Sequence, residues 1–374
     1  MEDIILYALP VFALLIAAEW IYGVIRGKCT YRLNDSIASL SQGLLSQAVA
    51  VCTQLFQVGL YSLVFTRLAI VHANAFWNTA SGWILAIVLF DFCDYWLHRA
   101  GHEIAIFWAA HVVHHHSEDF NFSTALRQET MVPLLGWVFY VPMAILGVPP
   151  AQFVLAGLIV LLYQFWIHTE HVGKLGWFDR VFSSPSNHRV HHAINPQYIN
   201  KNYGGMLVLW DRMFGTFAEE QETCVFGTQT PLASWDPLWA VSSVYVSLTR
   251  DAIRTGSVRD KLRIWFMPTG WRPADLLAAA EAVPRAAAPV TRYDPPVSRA
   301  HAVVAILQLV FMVILTATLL SRADALPWLP AALLCAAIAF GLWIAGAVMQ
   351  SRVGPRLAFL GNVLILSTAM LTLW

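Results

Sequence analysis

Asp91-Phe-Cys-Asp94-Tyr-Trp-Leu-His98-Arg-Ala-Gly-His102-Glu103 closes an apolar run, Gly82–Leu97, that reads as a membrane segment. Asp91, Asp94, His98 and His102 follow one another at three, four and four residues, so on a helix they form one stripe. Charged groups inside a membrane helix are costly and usually mark function. Imidazole is a common transition-metal ligand, and a metal-bound imidazole often donates its other nitrogen to a carboxylate. His98 and His102 are therefore candidate ligands, with Asp91 and Asp94 as candidate orienters behind them. Two carboxylates facing a wet cavity is the plainer alternative.

Two further groups repeat the pattern. In His111-Val-Val-His114-His115-His116, positions 111, 114 and 115 share a helix face and His116 is rotated away. His188-Arg-Val-His191-His192 has the same geometry, and Ile167-His168-Thr-Glu170-His171 adds two histidines three apart. With His98 and His102, and leaving His116 aside, these make ten of the chain's 13 histidines. One tetrahedral zinc takes only about three or four protein ligands, whereas two ions of higher coordination need about ten. The ligand count favours a dinuclear site. Two zinc ions would imply a hydrolase and two irons dioxygen chemistry, and spacing alone does not separate them.

The surroundings are those of a membrane protein. Of 374 residues, 58% are hydrophobic and 12% charged, and the net charge is zero. A soluble domain carries about 25% charged residues, and nothing here supports a nucleic-acid partner. The scattered cysteines Cys29, Cys52, Cys93, Cys224 and Cys335 form no CxxC pair. Expected spans are Ile4–Ile25, Ile37–Phe65, Gly82–Leu97, Met131–Gly147, Ala151–Ile167, Ala302–Leu320, Leu326–Met349 and Ala358–Leu373. The first has no basic leader or cleavage site and reads as a retained anchor. The second is polar enough to pack on protein or a cavity. The fourth and fifth, joined by Pro149-Pro150, are short enough for a shallow hairpin.

With the N-terminus outside, 21 of the 23 Lys and Arg residues fall on the cytoplasmic side. Every histidine group falls there too. The expected fold is all-α: a polytopic membrane helical bundle with a cytoplasmic-side, histidine-rich di-metal site. Its parts are N-terminal transmembrane helices (1–80), a histidine-box core (81–230), a cytoplasmic segment and linker (231–300), and C-terminal helices (301–374). Arg285–Val297, rich in Ala and Pro, reads as the linker.

No GxSxG elbow, P-loop or GxGxxG accompanies the histidines, and no flavin or haem module is present, so redox chemistry would need electrons from outside. At this point the boxes HxxxH, HxxHH and HxxHH resemble those of the fatty acid hydroxylase/sterol desaturase superfamily of membrane di-iron oxygenases. The likeness extends through Tyr95–Glu103, Trp108–His115, Ser117–Gln128, Leu161–Glu170, Pro185–His192, Lys201–Gly204 and Trp210–Phe217. It is similar there to the branch that cleaves ether lipids with tetrahydrobiopterin.

The resemblance implies two irons held by His98, His102, His111, His114, His115, His188, His191 and His192, with His168 added, and O2 as co-substrate. It also implies a membrane lipid as substrate, an external electron donor (a pterin or a redox protein), and a required glutamate at Glu103. An inner membrane in a bacterium, or the endoplasmic reticulum in a eukaryote, is the implied location. Two positions depart from the pattern. Asn187 stands where animal members tend to have histidine, and His171 where they tend to have an apolar residue.

Overall fold

The computed structural model describes residues 2–71, 75–281 and 292–373. Of the expected linker, residues 285–291 lie outside the described residues. Among the described residues the chain is helical, with three isolated β-bridges and no strand. The main helices are α1 (Glu2–Ile25), α2 (Leu33–Leu68), α3 (Ala80–Glu103), α4 (Ala105–His115) and α5 (Pro150–Trp166). They are followed by α6 (Pro185–His192), α7 (Pro237–Arg254), α8 (Arg299–Arg322), α9 (Trp328–Met349) and α10 (Pro355–Leu373).

Five of these, within α1, α3, α8, α9 and α10, are long and apolar enough to cross a bilayer. The chain is a multi-pass membrane protein. A sixth candidate, α2, is bent by 44° between Thr53 and Phe56. Its polar side chains point into protein, as its sequence suggests. Ser39 donates to Asp35, the Gln42 amide donates to the Pro237 carbonyl at 2.9 Å, and Ser46 donates to the Glu129 carbonyl at 3.0 Å. The segment 131–147 is broken into short turns at Pro133, Gly136 and Pro142. With α5 it makes two apolar helices shorter than the other spans. At 1.5 Å per residue, 17 residues reach about 25 Å, less than the ~30 Å hydrocarbon core.

Two apolar cores meet on α2. Its first half, with Ile37, Leu44 and Leu45, packs against Met312, Leu334 and Leu342 of the C-terminal helices. Its second half, from Tyr61, packs with Cys93, Leu97, Tyr140 and Phe153. Between them α3 and α4 fold back on each other across a single extended residue, Ile104. Thr79 caps the start of α3 by accepting the Gly82 N–H at 3.1 Å. The first N–H groups of α4 have no partner within their own helix. Those of Ala105 and Ile106 donate instead to the carbonyls of Met267 (3.0 Å) and Trp265 (2.8 Å). These bonds fasten the segment after α7 to the first turn of α4.

Gly43 lets α2 lie directly on the loop that follows the second histidine group. A Cβ there would run into the Leu126 carbonyl, which is backbone and cannot swing aside. Gly43→Ala is expected to destabilise the fold by about 1–3 kcal/mol through overpacking. Thermal unfolding in detergent checks this, and an unchanged midpoint removes the close approach.

Candidate metal centre

Four elements supply the histidines. α3 brings His98 and His102 on successive turns, and α4 brings His111, His114 and His115. The turn after α5 brings His168, and α6 brings His188, His191 and His192. Gly101 makes the crossing of α3 and α4 possible, since a Cβ there would press on the His111 ring at 3.3 Å. α6 is unusual: six of its eight residues are polar, yet all eight are buried. Its buried guanidinium, Arg189, is satisfied by both Glu220 oxygens (2.8 and 2.7 Å) and by the carbonyls of Thr169 and Val172. A buried charge is tolerated only with such full pairing.

The nine imidazoles fall into two groups. His98, His102, His111, His115 and His191 form one, and His114, His168, His188 and His192 the other. Within each group the ligand atoms lie within 4.8 Å of one another. The groups adjoin, with the His115 ring stacked on His192 at 4.3 Å.

The tautomers can be read from the outer hydrogen bonds. Nδ1–H of His98 donates to the Tyr203 carbonyl (2.7 Å), that of His114 to the Arg127 carbonyl (2.8 Å) and that of His168 to the Gln164 carbonyl (2.7 Å). His191 Nδ1–H donates to the Lys201 carbonyl (3.1 Å), and His111 Nδ1–H to Glu129 Oε1 (2.6 Å). A carbonyl can only accept, so these nitrogens carry the proton and each Nε2 keeps its lone pair. The Nε2 atoms of His114 and His168 nevertheless face each other at 3.3 Å. Two lone pairs at that distance repel unless a cation lies between them. The Nε2 atoms of His98, His102 and His191 are buried and have no hydrogen-bond partner. The residues fit two metal ions.

Burial, then neighbouring imidazoles, pushes His115, His188, His191 and His192 well below the usual histidine range. Burial lowers His114 to about 4, even though Glu129 pulls the other way. These rings are neutral at pH 7, the form a metal needs. Burial alone would raise Glu129, but above all the hydrogen bond from His111 outweighs it and holds the carboxyl at about 2.

Several expected residues take other places. His171 joins neither group: its ring stands edge-on to Tyr22 at 5.2 Å, and its backbone N–H donates to Thr169 Oγ1. The set brought together is nine, because the chain turns after Trp166 and carries position 171 to α1. Asn187 is not in either group; its amide donates to the carbonyls of Asp179 and Phe182. Asp91 touches no histidine. It accepts from Met206 N–H, Leu207 N–H and the Trp210 indole at 2.7–3.0 Å, fixing the loop whose Tyr203 carbonyl orients His98. Asp94 accepts the Tyr140 hydroxyl at 2.9 Å and lines a cavity. Glu103 pairs with Arg99 at 3.0 Å and accepts the Tyr203 hydroxyl at 3.3 Å. The carboxylate that does bond one of the nine imidazoles is Glu129, which sequence reasoning missed. It sits one residue beyond the matched block ending at Gln128, in a loop with no periodicity to mark it.

A cavity of about 200 Å³ reaches both groups through His98 and His111 on one side and His114 and His168 on the other. Phe12 of α1 and Leu158, Leu161, Leu162 and Phe165 of α5 form its apolar wall. Leu161 and Leu162 are also exposed on the outer surface. This volume is below the ~300 Å³ of a pocket that encloses a small molecule.

Residues 83–216 match the fatty acid hydroxylase family model, a segment that contains all nine histidines. The chain is 38% identical to alkylglycerol monooxygenase of Danio rerio over 268 residues, covering 71% of this chain and 59% of that protein. It is 36% identical to the Homo sapiens enzyme over 284 residues (75% and 63%). An ornithine lipid hydroxylase of Rhizobium tropici is 30% identical over 154 residues (38% and 43%). No solved structure matches. Over residues 83–216 the chain is similar to the fatty acid hydroxylase family. It spans about three fifths of the length of the alkylglycerol monooxygenases it matches.

Glu129→Gln removes the charge behind His111. It is expected to weaken metal binding by about tenfold or more. The check is metal retained per chain after dialysis against a graded chelator; retention equal to wild type removes Glu129 from the site.

Proposed function

We propose that the chain is an oxygen-dependent monooxygenase that hydroxylates a C–H bond of a membrane lipid, with alkylglycerols as substrate class. The observation that carries this is the junction of two inward-facing histidine groups with one apolar cavity beside α1 and α5. The likeness to alkylglycerol monooxygenases supports the substrate class. Two bound irons would supply activation of dioxygen, with electrons from an external donor such as tetrahydrobiopterin.

The chain's own residues do the positioning. An alkyl chain enters past Leu161 and Leu162 and lies against Phe12 and Phe165. Its carbon next to the ether oxygen then comes beside His98, His111, His114 and His168. Hydroxylation at that carbon gives a hemiacetal, which collapses to a fatty aldehyde and a glycerol derivative. Glu103 touches none of the nine histidines. It fixes Tyr203, whose ring lies 5.4–6.1 Å from those of His98, His102 and His191, so its role is positioning.

The excess of Lys and Arg in the loops at the histidine end of α3 supports a cytoplasmic side for the site. A second reading, hydroxylation or desaturation of another lipid (sterol, hopanoid, carotenoid or acyl lipid), is favoured by the relatives that act on ornithine lipid and sterol.

Turnover of a lipid panel with oxygen and tetrahydrobiopterin, read by mass spectrometry, tests the proposal. An aldehyde that appears only with ether lipid, oxygen and pterin is expected; a stable alcohol from another lipid supports the second reading. Zinc as the bound metal with full turnover under anaerobic conditions would identify a hydrolase instead. His98→Ala and His192→Ala are each expected to abolish turnover while membrane insertion is retained. Leu158→Trp, which fills the apolar wall, is expected to lower kcat/KM for long chains roughly tenfold more than for short ones. An unaltered chain-length profile would mean the chain lies elsewhere.

A further inference from the structure

Far from the histidines in function but not in space, α7 and the short helix Val258–Arg263 present an exposed apolar stripe. Val258, Leu262 and Phe266 recur every four residues, and with Ile253 they are 68–74% exposed. Large apolar side chains lined up in this way are uncommon on a surface that meets only water. Beside them, Tyr245, Val246 and Ile253 share a shallow groove with Arg250 and Arg254, two exposed cations one turn apart.

Nearby acids are already engaged. Asp251 is paired with Arg272 at 2.7 Å, and Asp260 with Arg263 at 3.1 Å. Among the described residues no carboxylate is paired with Arg250, Arg254 or Arg259.

The height of this face relative to the spans is fixed by the backbone. Trp265 and Met267 accept from Ile106 and Ala105, and the Thr269 hydroxyl donates to the His102 carbonyl at 3.0 Å. Phe266 therefore sits level with the last turn of the spanning helix α3. The start of α7 is tied to α2 by Gln42 and lies against α9 at Gly346, where a Cβ would meet the Trp235 carbonyl. Apolar side chains at the mouth of the bilayer, flanked by unpaired arginines, are the composition of an interfacial helix.

We propose that this face docks on the bilayer itself. The headgroup of an anionic phospholipid sits against Arg250 and Arg254 with its acyl part along Val246 and Ile253, while Val258, Leu262 and Phe266 enter the headgroup–acyl boundary. Charge complementarity and continuity with the end of α3 favour lipid over a soluble protein.

The test uses the full chain in nanodiscs of zwitterionic lipid with or without anionic lipid. In a Cys29→Ser background, an environment-sensitive fluorophore is placed at Phe266→Cys or Ile253→Cys. Blue-shifted emission and protection from a neutral aqueous quencher are expected at Phe266→Cys in both membranes. At Ile253→Cys the protection is expected to deepen with anionic lipid, and Arg250→Glu/Arg254→Glu should abolish that increment while leaving the Phe266→Cys signal in place. Water-like emission and full quenching at both positions overturn the proposal and leave the face to a soluble partner. An Ile253→Cys signal indifferent to anionic lipid overturns the headgroup site. Neither readout involves turnover, so the outcome is separate from that of the proposed reaction.

Discussion

The repulsion between inward-facing nitrogen lone pairs is the constraint on which the rest of this structure depends. Carbonyls fix the protons of His114 and His168 on their outer nitrogens, so their inner nitrogens meet at 3.3 Å with nothing to share between them. Such a cluster is unfavourable until cations occupy its centres, and metal binding then contributes directly to folding. Five of the nine rings are held by their outer edges, with backbone carbonyls from Arg127, Gln164, Lys201 and Tyr203 and one carboxylate, Glu129.

That demand explains polar features that would otherwise be costly in a membrane protein. The buried α6 is sustained by Arg189 with Glu220, by Asn187 on two carbonyls and by the Ser184 cap. Asp91 and Asp211 act one link further out: both anchor the 203–207 backbone, through which His98 is oriented. Polar residues of α2 serve the same loop system from the other side, Ser46 through the Glu129 carbonyl. A carboxylate two links from a metal can thus matter as much for geometry as a ligand does.

How far the centre was legible from sequence follows from the period of the helix. His98 with His102, His111 with His115, and His188 with His192 are each four apart, and helical spacing alone aims each pair at one point. The same spacing argument failed for Asp91 and His171. Asp91 lies on the stripe but nearer the 206–210 loop than any imidazole. His171 follows His168 at helical spacing, but the helix has already ended at Trp166, so the two diverge. Glu129 was invisible for the opposite reason: a loop residue has no period, and only the fold of 126–129 against α2 delivers it to His111.

The resemblance of the histidine boxes carried the reading of a di-iron oxygenase family; the sequence by itself determined the all-α membrane class and the three boxes. Each depends on local periodicity and composition, which survive without knowledge of the partners. Only the tertiary structure decided the division into groups of five and four histidines, the position of His171 outside both, the hydrogen bond from His111 to Glu129 and the apolar cavity that reaches both groups. Those are contacts between segments far apart in the chain, and no spacing within a segment specifies which of its neighbours it will meet.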